Sequence, residues 1–446
     1  MAVSNTAAYE RIQGILDEGS FVEIGALVKG RNAGKGASGA GDGVVTGYGT
    51  IDDRLVYLYS QDPSYLAGSL GEMHAKKISG VYRMALNMGA PVIAIIDCAG
   101  IRMDEGNDSL YSFGRIFAHQ AKVSGVVPQI TMVYGACGGG MAVSAGMSDF
   151  VFMEKDNGRM FVNSPDAVTG NYSEKCDTSS AAFCAKSGCC DAYGTAEEIR
   201  KMVRELVSIL PQNSETDLSE SVTEDDLNRS VSGIESLKTP LEKAAQISDD
   251  GIVFEVKKEY AVSAFTGFIR LNGRTVGVAA NGKDELCWKA CDKISSFLKY
   301  CDAFSIPVLT LADVRGFART KENEERIASK AAELSFTYAS LTVPAVTIVT
   351  GKAYGTAGIT MGSKALGTDL VYAWTGAKMG LMEKELMDKL TGINADKDVY
   401  SAEYNAERGY LDEIFAPEET RQKVAASFEM LYTKQVAAVP RKHGTV

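Results

Sequence analysis

The chain has 446 residues, 45% hydrophobic and 23% charged, with a net charge of -11. That balance is of a globular protein with large cores; it disfavours nucleic-acid binding, for which no dense Lys/Arg tract is present. No apolar run approaches the ~20 residues that span a bilayer, and the opening MAVSNTAAYERIQGILDEG lacks a basic stretch followed by an apolar one, so the expected location is cytoplasmic.

In chain order, Gly43–Gln61 alternates apolar and polar residues and predicts an antiparallel strand pair turning at Asp52-Asp53. Met73, Ile78, Val81, Tyr82 and Leu86 predict a helix over Gly71–Asn87. Pro91–Ile96 predicts a strand buried on both faces, Ser109–Gly125 a second helix and Gln129–Tyr134 a second buried strand. A turn Gly135–Gly140, a helix from Met141 and a strand Phe150–Glu154 follow. Thr195-Ala-Glu-Glu198 has capping-box spacing before a helix Ile199–Leu210, which Pro211 stops. The acidic stretch after it reads as a solvated connection. Beyond it come strands Val308–Leu311, Ala345–Thr350 and Leu370–Trp374 and a helix Asn323–Ser340.

The second series repeats the first. PVIAIID (Pro91–Asp97) returns as PVLTLAD (Pro307–Asp313), and Gly100, Gly135 and Gly139 return as Gly316, Gly351 and Gly355, all at a spacing of 216. TGYGTIDDRLV (Thr46–Val56) returns as TGFIRLNGRTV (Thr266–Val276) at 220, and DEGSFVE (Asp17–Glu23) as DDGIVFE (Asp249–Glu255) at 232. Order held over such a period means two copies of one domain. The expected division is residues 1–210, a linker 211–240, and residues 241–446.

A strand that enters a glycine turn and then a helix leaves backbone N–H groups unpaired. Two such turns side by side can aim two donors at one oxygen, an oxyanion hole worth ~3 kcal/mol per donor to an enolate or tetrahedral anion. The candidates are Gly100-Ile101 with Gly139-Gly140, and Gly316-Phe317 with Gly355-Thr356-Ala357. His74, His119 and His443 lack assignable triad partners, and Cys137 and Ser144 lack an identifiable base. The nine cysteines, an odd number, read as reduced thiols, and no metal site is read, because paired C-x-x-C knuckles are missing. A site rich in backbone donors and poor in acid–base groups suits a reaction whose cofactor supplies the base.

LDEGSFVE (Leu16–Glu23), GDGVVTGYG (Gly41–Gly49), GAPVIAIIDCAGIRMDEG (Gly89–Gly106), VPQITMVYGACGGG (Val127–Gly140), CDAFSIPVLTLADVRGF (Cys301–Phe317), KAYGTAG (Lys352–Gly358) and RGYLDEIFAPEETR (Arg408–Arg421) together resemble one family. It is that of the carboxyltransferase subunits of biotin-dependent acyl-CoA carboxylases and decarboxylases, of the propionyl-CoA carboxylase β and methylmalonyl-CoA decarboxylase α type. PRKH (Pro440–His443) also matches. The resemblance implies an α/β fold made of a tandem pair of crotonase-like (ClpP/crotonase) ββα spirals. It implies an N-terminal domain for a short-chain acyl-CoA, with propionyl- and methylmalonyl-CoA as the expected substrates, and a C-terminal domain for carboxybiotin on a carrier protein. The donors near Gly100-Ile101 and Gly139-Gly140 would hold the thioester enolate. Those near Gly316-Phe317 and Thr356-Ala357 would hold the biotin ureido oxygen, with Gly355 beside them. Carboxybiotin would release CO2, and the biotin left behind would take the substrate's α-proton. Implied partners are a biotin carboxyl carrier protein, a biotin carboxylase or membrane decarboxylase subunit, and further copies of this chain sharing the active site. The chain departs from the family at DCAGIR (Asp97–Arg102), usually DSGGAR, at DVRGFART (Asp313–Thr320), usually DVPGFLPG, and at Thr356, usually glycine. Two alternatives stay open: a crotonase-type hydratase or isomerase, against which Met141 and Ala142 stand where glutamates would be needed, and a silent scaffold subunit of a biotin complex.

Overall fold

The computed structural model describes residues 6–31, 41–171, 176–216, 223–282, 285–392 and 397–436. They form two compact units, Met1–Thr216 and Asp217–Val446. His443 and the PRKH motif lie outside the described residues. No helix among the described residues is long and apolar enough to cross a membrane.

The first unit contains strands β1 (Val22–Glu23), β2 (Val44–Ile51), β3 (Arg54–Gln61), β4 (Val92–Cys98), β5 (Gln129–Gly138), β6 (Phe150–Glu154), β7 (Arg159–Phe161) and β8 (Ala192–Gly194). Its helices are α1 (Ala7–Gln13), α2 (Glu72–Met88), α3 (Asn107–Val123), α4 (Gly140–Gly146), α5 (Ala181–Ser187) and α6 (Ala196–Ile209). The second unit contains β9 (Val253–Glu255), β10 (Ala264–Leu271), β11 (Arg274–Asn281), β12 (Glu285–Leu286), β13 (Val308–Val314), β14 (Gly316–Phe317), β15 (Ala345–Tyr354), β16 (Leu370–Trp374), β17 (Lys378–Gly380) and β18 (Glu413–Phe415). Its helices are α7 (Pro240–Ile247), α8 (Trp288–Ala303), α9 (Lys321–Glu324), α10 (Ile327–Ser340), α11 (Gly355–Thr360), α12 (Lys384–Thr391), α13 (Ala402–Glu407) and α14 (Thr420–Leu431).

The two sheets have one topology. The first runs β1-β2-β3-β4-β5-β6-β8 with β7 on β5; the second runs β9-β10-β11-β13-β15-β16-β18 with β17 on β15. In each, two antiparallel pairings give way to parallel ones from the third strand on. The parallel strands are continuous apolar runs because helices or loops cover both faces. Asp52 and Asp53 both take left-handed φ, 49° and 64°, the signature of a tight hairpin turn. Thr195 and Glu198 form the expected capping box.

Three interactions recur in both units and explain the repeat motifs. Arg204 on α6 donates to Ile15 O (2.7 Å) and Asp17 (2.9 Å), and the Asp52 and Asp53 N–H groups donate to the same carboxylate. Arg421 on α14 likewise donates to Ile247 O (2.5 Å) and Asp249 (2.7 Å), while Gly273 N–H donates to Asp249 (2.8 Å). The aspartate of each DEG/DDG motif thus clasps the last helix and the hairpin turn to the start of its unit. Second, Lys77 on α2 donates to Gly41 O and Val44 O, and Lys293 on α8 to Tyr260 O and Ala264 O. Both lysines are buried, and burial pushes Lys77 down to about 8. Third, Asp97 and Asp313 press against Gly135 and Gly351, where a β-carbon would fall 2.2 and 2.6 Å from a carboxylate oxygen.

Three expectations need correction. The described ends of the expected linker 211–240 are packed rather than solvated: Gln212 and Asn213 bond to Leu55 O and Gly89 O in the first unit. Val231 and Ile234 are buried in the second, where the Asp225 carboxylate and the Asp226 backbone carbonyl engage the fully buried Arg421. The Asp225 carboxylate is taken by Arg229 and Arg421 rather than by water. Gly135–Gly138 are strand, since the glycines serve the Asp97 contact and the pairing of β5 with β7. The helix expected over Asn323–Ser340 is two, α9 and α10, because the Asn323 side chain is taken by Trp288 N–H and Ala318 O and Arg326 turns onto the Trp288 ring.

The clasps differ in burial, so they should differ in worth. Arg421→Met strands Asp249 in the core and should cost about 3–5 kcal/mol; Arg204→Met, on a partly exposed pair, should cost about 1 kcal/mol or less. Urea unfolding measures both, and equal losses would show that burial does not set the clasp's strength. Although burial pushes Asp17 up, hydrogen bonds from Asp53, Arg204, Thr50 and Asp52 hold it far below the ordinary carboxylate value. Its stabilisation is therefore full above about pH 4 and lost as pH falls through its folded value. Asp17→Asn should lower stability at pH 7 and flatten its decline in acid.

Candidate active site

In each unit the central strands end in paired turns. β4 and β5 stay in register to Ile96↔Val133, bulge, and meet again at Cys98↔Cys137; β13 and β15 do the same at Ala312↔Val349 and Val314↔Ala353. Such bulges re-aim the chain near functional sites. Beyond them Gly100 and Gly138 lie close, a β-carbon on Gly100 falling 3.8 Å from Gly138 O.

Of the first-unit candidates, the Gly100 and Gly139 N–H groups are engaged, and those of Ile101 and Gly140 have no acceptor among the described residues. Leu70 forms a parallel bridge with Ile101 through Leu70 N–H to Gly100 O (2.9 Å) and Arg102 N–H to Leu70 O (3.0 Å). A parallel ladder engages alternate residues, so the Ile101 N–H points away from it and meets no acceptor among the described residues. Gly100 N–H faces Cys98 Sγ at 3.4 Å. Gly139 N–H donates to Phe161 O at 2.9 Å. Its backbone, at φ 58°, ψ -121°, is open only to glycine and delivers the chain to Gly140. Gly140 opens α4, so its N–H has no intrahelical acceptor. Within the expected pairs Gly100-Ile101 and Gly139-Gly140, the glycines at 100 and 139 shape the turns that lead to Ile101 and Gly140.

The second unit repeats this arrangement. Leu286 pairs with Phe317 and accepts from Ala318 N–H at 3.0 Å, as Leu70 accepts from Arg102. Phe317 therefore holds the register position of Ile101, and Gly316 that of Gly100. Gly355 (φ 61°) starts α11, followed by Thr356 and the buried Ala357, with α11 packed on β14. Beside this turn is a cavity of 580 Å3 with mostly apolar walls, among them Gly355, Thr356, Met379, Leu381, Met387 and Tyr400. Arg315 pairs with Glu383 at 2.8 Å.

The side chains near the first turn are occupied elsewhere. Cys137 is fully buried and its thiol is pushed far up by that burial, and Cys98 is pushed up to about 11. Ser144 donates to Gln120 Oε1 (2.8 Å), and Gln120 returns a bond to Ser144 O. His74 is buried with Nδ1 against Asp42 O, and burial holds it neutral. His119 Nδ1 bonds to Arg115 O. The candidate site is two pairs of backbone N–H groups without an assigned general base. Leu70 and Leu286, which carry the bridges, escaped the sequence reading although they share the spacing of 216.

Residues 3–446 match the carboxyl transferase domain. The chain belongs to that family. A propionyl-CoA carboxylase beta chain from Roseobacter denitrificans is 38% identical, the alignment covering 98% of this chain and 93% of the relative. A methylmalonyl-CoA decarboxylase subunit alpha from Veillonella parvula is 36% identical over 100% and 94%. Among solved structures, the transcarboxylase 12S hexamer with hydrolysed methylmalonyl-coenzyme A superposes with a TM-score of 0.90 at 33% identity, covering 98% of this chain and 92% of that one. As in other carboxyl transferases, the fold is a tandem pair of crotonase-like domains.

Gly140 tests the first turn. A methyl there would fall 2.6 Å from the Phe113 ring, so Gly140→Ala must shift the start of α4 and should lower carboxyl transfer about a hundredfold, as loss of an oxyanion donor does. Adding Phe113→Leu should restore part of it. Cys137→Ala and Ser144→Ala should keep most turnover; complete loss in Cys137→Ala with the fold intact would make the thiol a participant.

Proposed function

We propose that this carboxyltransferase moves a carboxyl group between biotin on a separate carrier protein and a short-chain acyl-CoA, propionyl- or methylmalonyl-CoA. The observation that carries the reading is the duplicated pair of backbone donors, Ile101 with Gly140 and Phe317 with Thr356, on a chain whose relatives act on these thioesters. The first pair would hold the thioester oxygen as the α-carbon gains negative charge. The second would hold the ureido oxygen of biotin. A bicyclic ring on an alkyl arm suits the apolar cavity beside Thr356. When bound, biotin supplies the transferable carboxyl group and the base, which fits a site without an assigned base of its own. The chain's residues bind, orient and stabilise charge; Gly139 and Gly355 turn the backbone to do so.

The acyl side and the biotin side would come from different subunits, so that the working enzyme is an oligomer. Ile101, Met103, Leu110, Tyr111 and Val143 leave large apolar side chains exposed at or near the first turn, as a face covered by another subunit would. Partners would be the biotin carrier and either a biotin carboxylase or a membrane decarboxylase subunit. The enzyme would work in the cytoplasm, docking at the membrane in the latter case.

Two measurements test this. Purified protein should exchange carboxylate between methylmalonyl-CoA and free biotin without ATP; hydration of crotonyl-CoA without biotin would overturn the reading. Gly139→Val should weaken acyl-CoA binding in calorimetry and spare the biotin carrier, while Gly355→Val should do the reverse. Each should lower transfer about a hundredfold or more, and equal loss of acyl-CoA affinity in both would refute the division of labour.

A further inference from the structure

Arg102 follows the donor Ile101 and is 3% exposed, an unusual place for a guanidinium unless something pairs it. Its Nη1 donates to Asp42 Oδ1 (2.7 Å) and Glu105 Oε1 (2.9 Å), and its Nη2 to Ser69 O (2.8 Å). The Tyr65 ring lies 5.6 Å from it. Both carboxylates are buried, and Asp42 is fixed further by His74 N–H at 2.8 Å. Glu105 Oε2 accepts from Glu72 N–H at 2.6 Å, which ties the start of α2 to the same group. Gly71 has no room for a β-carbon, which would fall 2.3 Å from Arg102 Nη1.

The segment this guanidinium holds is strained. Leu66, Ala67 and Gly68 all take left-handed φ, at 49°, 53° and 66°, a costly run for two residues with side chains. It is pressed onto the end of β4, where a β-carbon on Gly68 would fall 2.0 Å from Asp97 O. Ala99 N–H donates to Ala67 O (3.1 Å), Ser109 Oγ to Leu70 O (2.7 Å), and Leu70 carries the bridge that turns the Ile101 N–H outward. Arg102 grips both sides of this bridge: its backbone N–H on Leu70 O and its guanidinium on the adjacent Ser69 O. The position equivalent in the second unit is Ala318, which has no such side chain.

We infer that Arg102, seated on Asp42 and Glu105, is the positioning residue for the acyl-side donor: it holds the strained 66–70 segment against the turn and thereby fixes the direction of the Ile101 N–H. This rests on the proposed role of that N–H. An oxyanion donor loses its advantage when it must reorganise during the reaction, so a loosened turn reduces stabilisation in the transition state more than binding of the ground state.

The test is transfer from methylmalonyl-CoA to free biotin by the full-length Arg102→Ala enzyme. The expected result is a fall in kcat of about a hundredfold with KM changed less than about threefold. Millimolar guanidinium chloride should restore part of it, and sodium chloride at equal ionic strength should not. Should Arg102→Ala fail to fold, Glu105→Gln, which keeps the shape and removes the charge, carries the test with a loss of about tenfold. Amide exchange at Leu70 and Arg102 reports the turn directly and should speed up. A fall in kcat without rescue, or one matched by a rise in KM, would overturn the positioning role in favour of a structural one. Unchanged kcat and unchanged exchange would overturn it also. Unchanged kcat with accelerated exchange would instead refute Ile101 as a donor, and with it the acyl-side reading.

Discussion

A backbone N–H without an acceptor is the exception in a folded protein, and the architecture of this chain leads to such positions, among the described residues, at matched places in its two units. Two parallel strands end side by side; one runs into a short bridge that engages every second residue, the other into a helix whose first N–H groups have no carbonyl behind them. Ile101 and Gly140 hold these positions in one unit, and Phe317 and Thr356 hold the equivalent ones in the other. Bulges in the two sheets bring these ends together, and the left-handed turns at Gly139 and Gly355 lead into the helices.

The duplication shows how such a site is kept in place. Every motif that repeats at 216, 220 or 232 residues has a structural task in both copies. The aspartates of DEG and DDG collect an arginine from the unit's last helix and the N–H groups of its hairpin. The buried lysines join a helix to the start of the second strand. Asp97 and Asp313 sit where Gly135 and Gly351 make room. The drift in spacing falls in connections between these fixed points, where added residues cost little.

The strand pair, the buried parallel strands, the α2 and α3 helices and the Thr195 capping box were legible because each is written in local pattern: alternation, continuous apolar runs, 3.6-residue spacing, a cap. The site was legible as a set of turns but not atom by atom. Which N–H in Gly139-Gly140 is free depends on Phe161, 22 residues away in sequence, and which in Gly100-Ile101 is free depends on Leu70. Both are tertiary pairings that no window of sequence contains. The acidic stretch misled for a similar reason: Asp225 looks solvated until Arg421, 196 residues beyond it, is brought beside it.

The unpaired donors have a genetic consequence. A nitrogen and its hydrogen belong to the peptide bond, so Ile101 and Phe317 can be exchanged for almost any residue and still present the same group. An alanine scan would pass over these two positions with little to report, and natural variation could move through them freely. Only proline deletes the hydrogen by mutation, and only replacement of the amide by an ester would delete it without touching the side chain. The positions where the scan would register are the supports, Gly139, Gly140, Gly355 and the residues packed behind them. In this protein a map of mutational sensitivity would therefore outline the scaffold and leave the proposed donors as a blank at its centre.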